Sequence, residues 1–159
     1  MTKIIKKTPA ILAIAITTVL SLCITAFAYV SGSGVFAIKP TRQSDGTIKA
    51  VITYSGVDDT YNRVSSSGID VFTTGSATVY KVSFSPSSGA ATEVEFCDPD
   101  PANVIDTVII PKKASGMPSS FSTTVTLEPY TSYAINMVSQ SSSADTSGTF
   151  TIYGLSNVS

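Results

Sequence analysis

The sequence predicts an all-β protein, an antiparallel sandwich or barrel of eight to nine strands. Three observations predict it. Short runs in which apolar and polar residues alternate recur from Val35 to Tyr153. Clusters of Gly, Pro, Asp and Ser separate the runs, and no stretch within them carries the apolar period of a helix. Alternation with period two marks strands that bury one face, and close spacing by turn signals marks a sandwich or barrel.

The runs follow in order. Val35 to Lys39 is β-rich and is expected to end at Pro40. After the turn Ser44-Asp45-Gly46 comes Thr47 to Tyr54, with Ile48, Ala50, Ile52 and Tyr54 on one side. Asp bonds its own backbone in such turns and Gly adopts positive φ. Ser55 to Gly68 is a long connection. Ile69 to Thr73 and Thr78 to Ser85 follow, with Tyr80, Val82 and Phe84 expected inward, and Pro86 to Gly89 turns the chain. Thr92 to Cys97 puts Val94 and Phe96 opposite Glu93, Glu95 and Cys97 before Asp98-Pro-Asp-Pro101 breaks it. Val104 to Ile110, Phe121 to Leu127, Tyr133 to Met137 and Phe150 to Gly154 complete the set.

The first 28 residues are of another kind. Lys3, Lys6 and Lys7 precede an apolar run from Ala10 to about Ile24, and Ala26-Phe27-Ala28 closes the segment. That order describes a secretory signal peptide cut after Ala28. An uncleaved anchor would have no use for the small residues at the cut. A lipoprotein would want a small residue before Cys23, where Leu22 stands. The domain division is therefore a signal peptide over 1–28, a Gly/Ser lead over 29–34 and one β domain over 35–159.

Removal of the signal leaves seven basic and eleven acidic residues, a net charge of −4. With Lys112-Lys113 the only adjacent basic pair, nucleic acid and membrane surfaces are not expected partners. The expected partner is an extracellular glycan or protein. Cys97 is the only thiol left, so no internal disulfide forms; the thiol is either inert in a monomer or the link in a dimer.

Histidine is absent, which excludes Ser-His-Asp and Cys-His catalysis and histidine metal ligation. Glu93 and Glu95 share a strand face about 7 Å apart, inside the span that runs from retaining to inverting glycosidase separations. They lack aromatic company, so a solvated strand face is the expectation and no catalytic residue is assigned. Calcium is the one metal the residues suit, because Asp98, Asp100, Asn103 and Asp106 gather hard oxygens in one turn. Asp58-Asp59 with Asn62 is a thinner second cluster. Sugar binding calls for exposed rings, and the loops offer Tyr61 and Tyr130.

One resemblance can be named. Leu127 to Met137, LEPYTSYAINM, followed by Ser147 to Tyr153, SGTFTIY, resembles the end of bacterial pre-peptidase C-terminal domains. The likeness is confined to residues 121–154. It implies a single jelly-roll-like β-sandwich and a non-catalytic accessory role beside secreted enzymes. The chain is thus expected to be a secreted bacterial β-sandwich that binds outside the cell, without a catalytic cofactor. The alternative is a carbohydrate- or calcium-binding module working with a separate secreted enzyme.

Overall fold

A computed structural model describes residues 32–99 and 103–159. The expected signal peptide, Tyr29 to Ser31 of the expected lead, and Asp100 lie outside these residues. The described residues form ten strands and no helix: β1 (Val35–Arg42), β2 (Ile48–Val57), β3 (Asn62–Arg63), β4 (Phe72–Thr74), β5 (Val79–Ser88), β6 (Thr92–Cys97), β7 (Val104–Ile110), β8 (Phe121–Thr126), β9 (Ser132–Ser139) and β10 (Thr146–Val158).

All pairings are antiparallel, and they nest. β6 pairs β7, β5 pairs β8, β4 pairs β9 and β2 pairs β10, as in one long hairpin with its tip between β6 and β7. Rolling that hairpin adds the contacts β10 to β5 and β9 to β6. One layer then reads β1-β2-β10-β5-β8 and the other β3-β9-β6-β7, with β4 joining β10 to β9 along one side. This is the jelly-roll arrangement, a sandwich in which, β1 aside, neighbouring strands of each layer come alternately from the two arms of the hairpin.

The core lies between the layers. Ile52, Tyr80, Val82, Phe150 and Ile152 from the first layer meet Val94, Phe96, Ile110, Ile135 and Met137 from the second. Across this interface the Phe96 and Phe150 rings sit 6.3 Å apart, tilted by 58°. The expected inward residues of β2, β5 and β6 are all buried or half-buried in the core.

The structure differs from the sequence reading at several strand ends. Pro40 lies within β1 rather than ending it, paired with Ala50. β1 has β2 as its sole strand neighbour, so a residue without an N–H costs the ladder nothing there. Pro86 likewise belongs to β5, opposite Gly148, where β8 has already ended opposite Phe84. A tenth strand, β3, is only two residues long and falls in the expected long connection. β10 starts at Thr146, inside the polar segment before the expected strand.

β10 is thirteen residues long and bends. Its register with β2 shifts between Ile152 and Leu155, and Gly154 adopts φ of 85°. That bulge turns the end of the strand toward β4. Alternation with the buried Phe150 and Ile152 leaves Tyr153 half-buried on the outside of the first layer, clear of the core.

Candidate functional site

A shallow open pocket of about 360 Å³ lies at an end of the first layer. The β1–β2 turn supplies Gln43, Ser44, Asp45 and Thr47; β5 and its approach supply Ala77, Val79, Tyr80 and Lys81; the β10 bulge supplies Tyr153 and Gly154. These elements meet because β10 runs between β2 and β5.

The turn wall is rigid. Gln43 and Thr47 bond through the backbone at 2.7 Å, Gly46 N–H donates to Gln43 at 3.0 Å, and Arg42 Nη1 donates to the Gly46 carbonyl at 3.0 Å. Asp45 Oδ1 accepts from the Thr47 amide at 2.9 Å and its hydroxyl at 2.7 Å. Those two donors hold the Asp45 carboxyl below its ordinary range, so it is anionic at neutral pH. On the opposite wall Lys81 Nζ stands 5.4 Å from the centre of the Tyr153 ring, a cation–π arrangement. The Tyr153 hydroxyl lies 3.4 Å from that of Ser83. Tyr80 closes the floor: its ring is in the core and its hydroxyl donates to the carbonyls of Ala77 and Gly75, at 2.6 and 3.0 Å. Burial pushes its pKa up, so it stays a neutral donor.

A tyrosine ring, a lysine and a ring of short polar groups can hold a hydroxylated ligand by stacking and hydrogen bonding. The lining holds one carboxylate, Asp45, and none of the activated nucleophiles or paired acids that bond cleavage requires.

The residues chosen from sequence fall elsewhere. Tyr61 and Tyr130 are not brought together. Asn62 faces Met137 near one end of β9, whereas Tyr130 leads into Ser132 at the other, about 20 Å away at strand rise. Tyr130 is 73% exposed, has φ of 52°, and donates its N–H to Gly75 at 3.0 Å. The Tyr61 carbonyl accepts from Gly32 at 2.7 Å.

The acidic turn divides. Asn103 donates its side-chain amide to Asp98 Oδ2, and the Asp98 N–H donates to the Asn103 carbonyl at 3.1 Å. Asp106 instead points at β8, its two oxygens accepting from Thr107 N–H at 2.8 Å and Thr126 N–H at 3.3 Å. Among the described residues no three His, Cys, Asp or Glu side chains form a group able to hold a metal. In the second cluster, Asp58 is occupied by donors from Ser33, Thr60 and Asn62.

Glu93 and Glu95 are half-buried on the outer face of the second layer, and Glu95 accepts a hydrogen bond from Asn136. Cys97, expected on that same side, is completely buried. Burial, and secondarily the charge of Glu95, push its thiol up to about 11. No known protein family, characterised protein or solved structure matches the chain.

Proposed function

We propose that this protein is a secreted, non-catalytic binding module that takes a carbohydrate in the pocket between the Gln43–Thr47 turn, Lys81 and Tyr153. The observation that carries the reading is the pairing of an accessible tyrosine ring with a lysine, opposite a rigid turn of hydrogen-bonding groups. Secretion rests on the signal-peptide pattern of the first 28 residues. The non-catalytic reading rests on the missing histidine and on Glu95 being held by Asn136, away from any partner acid in the pocket. The accessory role implied by the resemblance over residues 121–154 accords with a module that binds while another protein acts. The buried thiol of Cys97 favours a monomer over a Cys97-linked dimer.

The test is a glycan array followed by titration of the best ligand. Tyr153→Ala is expected to weaken binding about fivefold to thirtyfold, because loss of a stacking ring in a wet site removes about 1 to 2 kcal/mol. Tyr61→Ala and Tyr130→Ala are expected to leave affinity unchanged. If the Tyr61 or Tyr130 substitution abolishes binding while Tyr153→Ala does not, the pocket is the wrong site.

A further inference from the structure

The pocket opens onto a wider surface whose charge is sorted by layer. Each lysine carried by a strand, Lys39 on β1, Lys49 on β2 and Lys81 on β5, belongs to the first layer. Each acidic residue carried by a strand, Glu93, Glu95 and Asp106, belongs to the second. No acidic residue occurs anywhere in β1, β2, β5, β8 or β10.

Alternation with the buried residues Ala50, Ile52, Tyr80 and Val82 turns Lys49 and Lys81 to the outer face, and Lys39 alternates with inward Ile38. Tyr153, on the intervening strand, lies beside Lys81. Across the sheet Lys39 faces Val51, followed by the buried Thr151, then Ser83 and Ser122, and in the next row Thr53 faces Thr149, which faces Ser85, so most outward positions beside the lysines bear hydroxyls. Lys39 and Lys49 are diagonal neighbours at about 7 to 8 Å, and Lys49 and Lys81 stand two strands apart, about 10 Å. Among the described residues none of the three lysines is paired with a carboxylate.

We infer that this outer face binds an acidic polysaccharide, one bearing carboxylate or sulfate groups; the inference rests on the pocket being a carbohydrate site. An extended chain crosses β1, β2, β10 and β5. Its anions meet Lys39, Lys49 and Lys81, its hydroxyls exchange hydrogen bonds with the serine and threonine rows, and one sugar ring covers Tyr153. Duplex nucleic acid fits less well. Three lysines spread over this face neutralise few of its phosphates.

Binding is measured calorimetrically to polygalacturonate, heparin and dextran, with duplex DNA and phosphatidylglycerol vesicles as competitors. The expected result is salt-sensitive binding to polygalacturonate, to heparin or to both, the choice between them separating carboxylate from sulfate recognition. Each Lys→Gln substitution is expected to weaken it about threefold to fivefold, and the triple K39Q/K49Q/K81Q well over tenfold. The charge-conserving triple Lys→Arg retains binding. Because the lysines point outward, unchanged melting of the variants shows that the fold is kept. Dextran binding that needs Tyr153 but ignores the lysines overturns this inference and leaves the pocket reading standing. Equal or tighter binding to DNA or vesicles overturns it as well, and failure to bind any saccharide sinks both.

Discussion

Asp58 holds the start of the domain in place. Its carboxylate accepts from the Ser33 amide and hydroxyl, both at 3.0 Å, from the Thr60 amide and hydroxyl at 3.0 and 2.6 Å, and from Asn62 Nδ2 at 3.0 Å. Asn62 completes the clasp by accepting from the Gly34 amide at 2.8 Å. These donors, led by the Thr60 hydroxyl, depress the Asp58 pKa strongly. A depressed folded-state pKa means the stabilisation is complete above the unfolded value near 4 and drains away as pH falls toward the folded value. The residue is half-buried, so solvent screening keeps the effect modest. Asp58→Asn is expected to cost about 1 to 2 kcal/mol at pH 7 in urea unfolding. Its stability is also expected to fall less steeply than that of the parent below pH 4. A variant with unchanged stability at pH 7 would refute the clasp. Cys97 gives a second residue-level expectation. Buried and held protonated, it should react with a thiol reagent at neutral pH only at the rate of unfolding, and at once in denaturant.

At the scale of elements, the open side of the sandwich is closed by one carboxylate. β7 and β8 are not hydrogen-bonded to each other as strands, and Asp106 spans them by accepting from Thr107 and Thr126. Asp106 also covers an edge amide that would otherwise invite another strand. Asp106→Ala is therefore expected to lower stability by about 1 to 2 kcal/mol and to speed amide exchange at Thr107 and Thr126 before the rest of the sheet. Uniform exchange across the sheet would argue against the seam. The strands themselves were mostly legible in sequence, because burial of one face imposes alternation on any half-buried strand. What escaped was set by neighbours distant in the chain. Pro40 and Pro86 read as breakers, yet each sits where no strand needs its missing donor. β3 is too short to alternate. Alternation with Phe150 and Ile152 puts Tyr153 outside, but its meeting with Lys81 and the Gln43–Thr47 turn depends on the register of β10 with β5 and β2. Lys39, Lys49 and Lys81 are dispersed in sequence and become one basic face only through the register of β1, β2, β10 and β5. Tyr61 and Tyr130 stood out as loop aromatics, but loop position alone carries no information about which loops converge.

The whole molecule is dominated by contacts between residues far apart in the chain, and its last strand is central. β10 pairs with β2 on one side and β5 on the other, and its end also pairs with β4. It buries Phe150, Ile152 and Leu155 in the core. Even Ser159 takes part, exchanging backbone hydrogen bonds with Val71 at 2.8 and 3.0 Å and accepting from Asp70 at 2.9 Å. Without β10, β1 and β2 lose contact with β5 and β8, and Ile52 and Val82 face water. The nested hairpin therefore cannot be completed until the end of the chain arrives, and closing such distant pairings is slow. Refolding from urea is expected on the millisecond to second timescale with a single main phase. A chain ending at Ala144 is expected to show no cooperative unfolding transition, since the three lost core side chains alone are worth about 5 to 9 kcal/mol by burial, comparable to the stability of a whole domain. A truncated chain that still melted cooperatively would show that the outer strands form a sheet without their centre, which their pairing gives them no means to do.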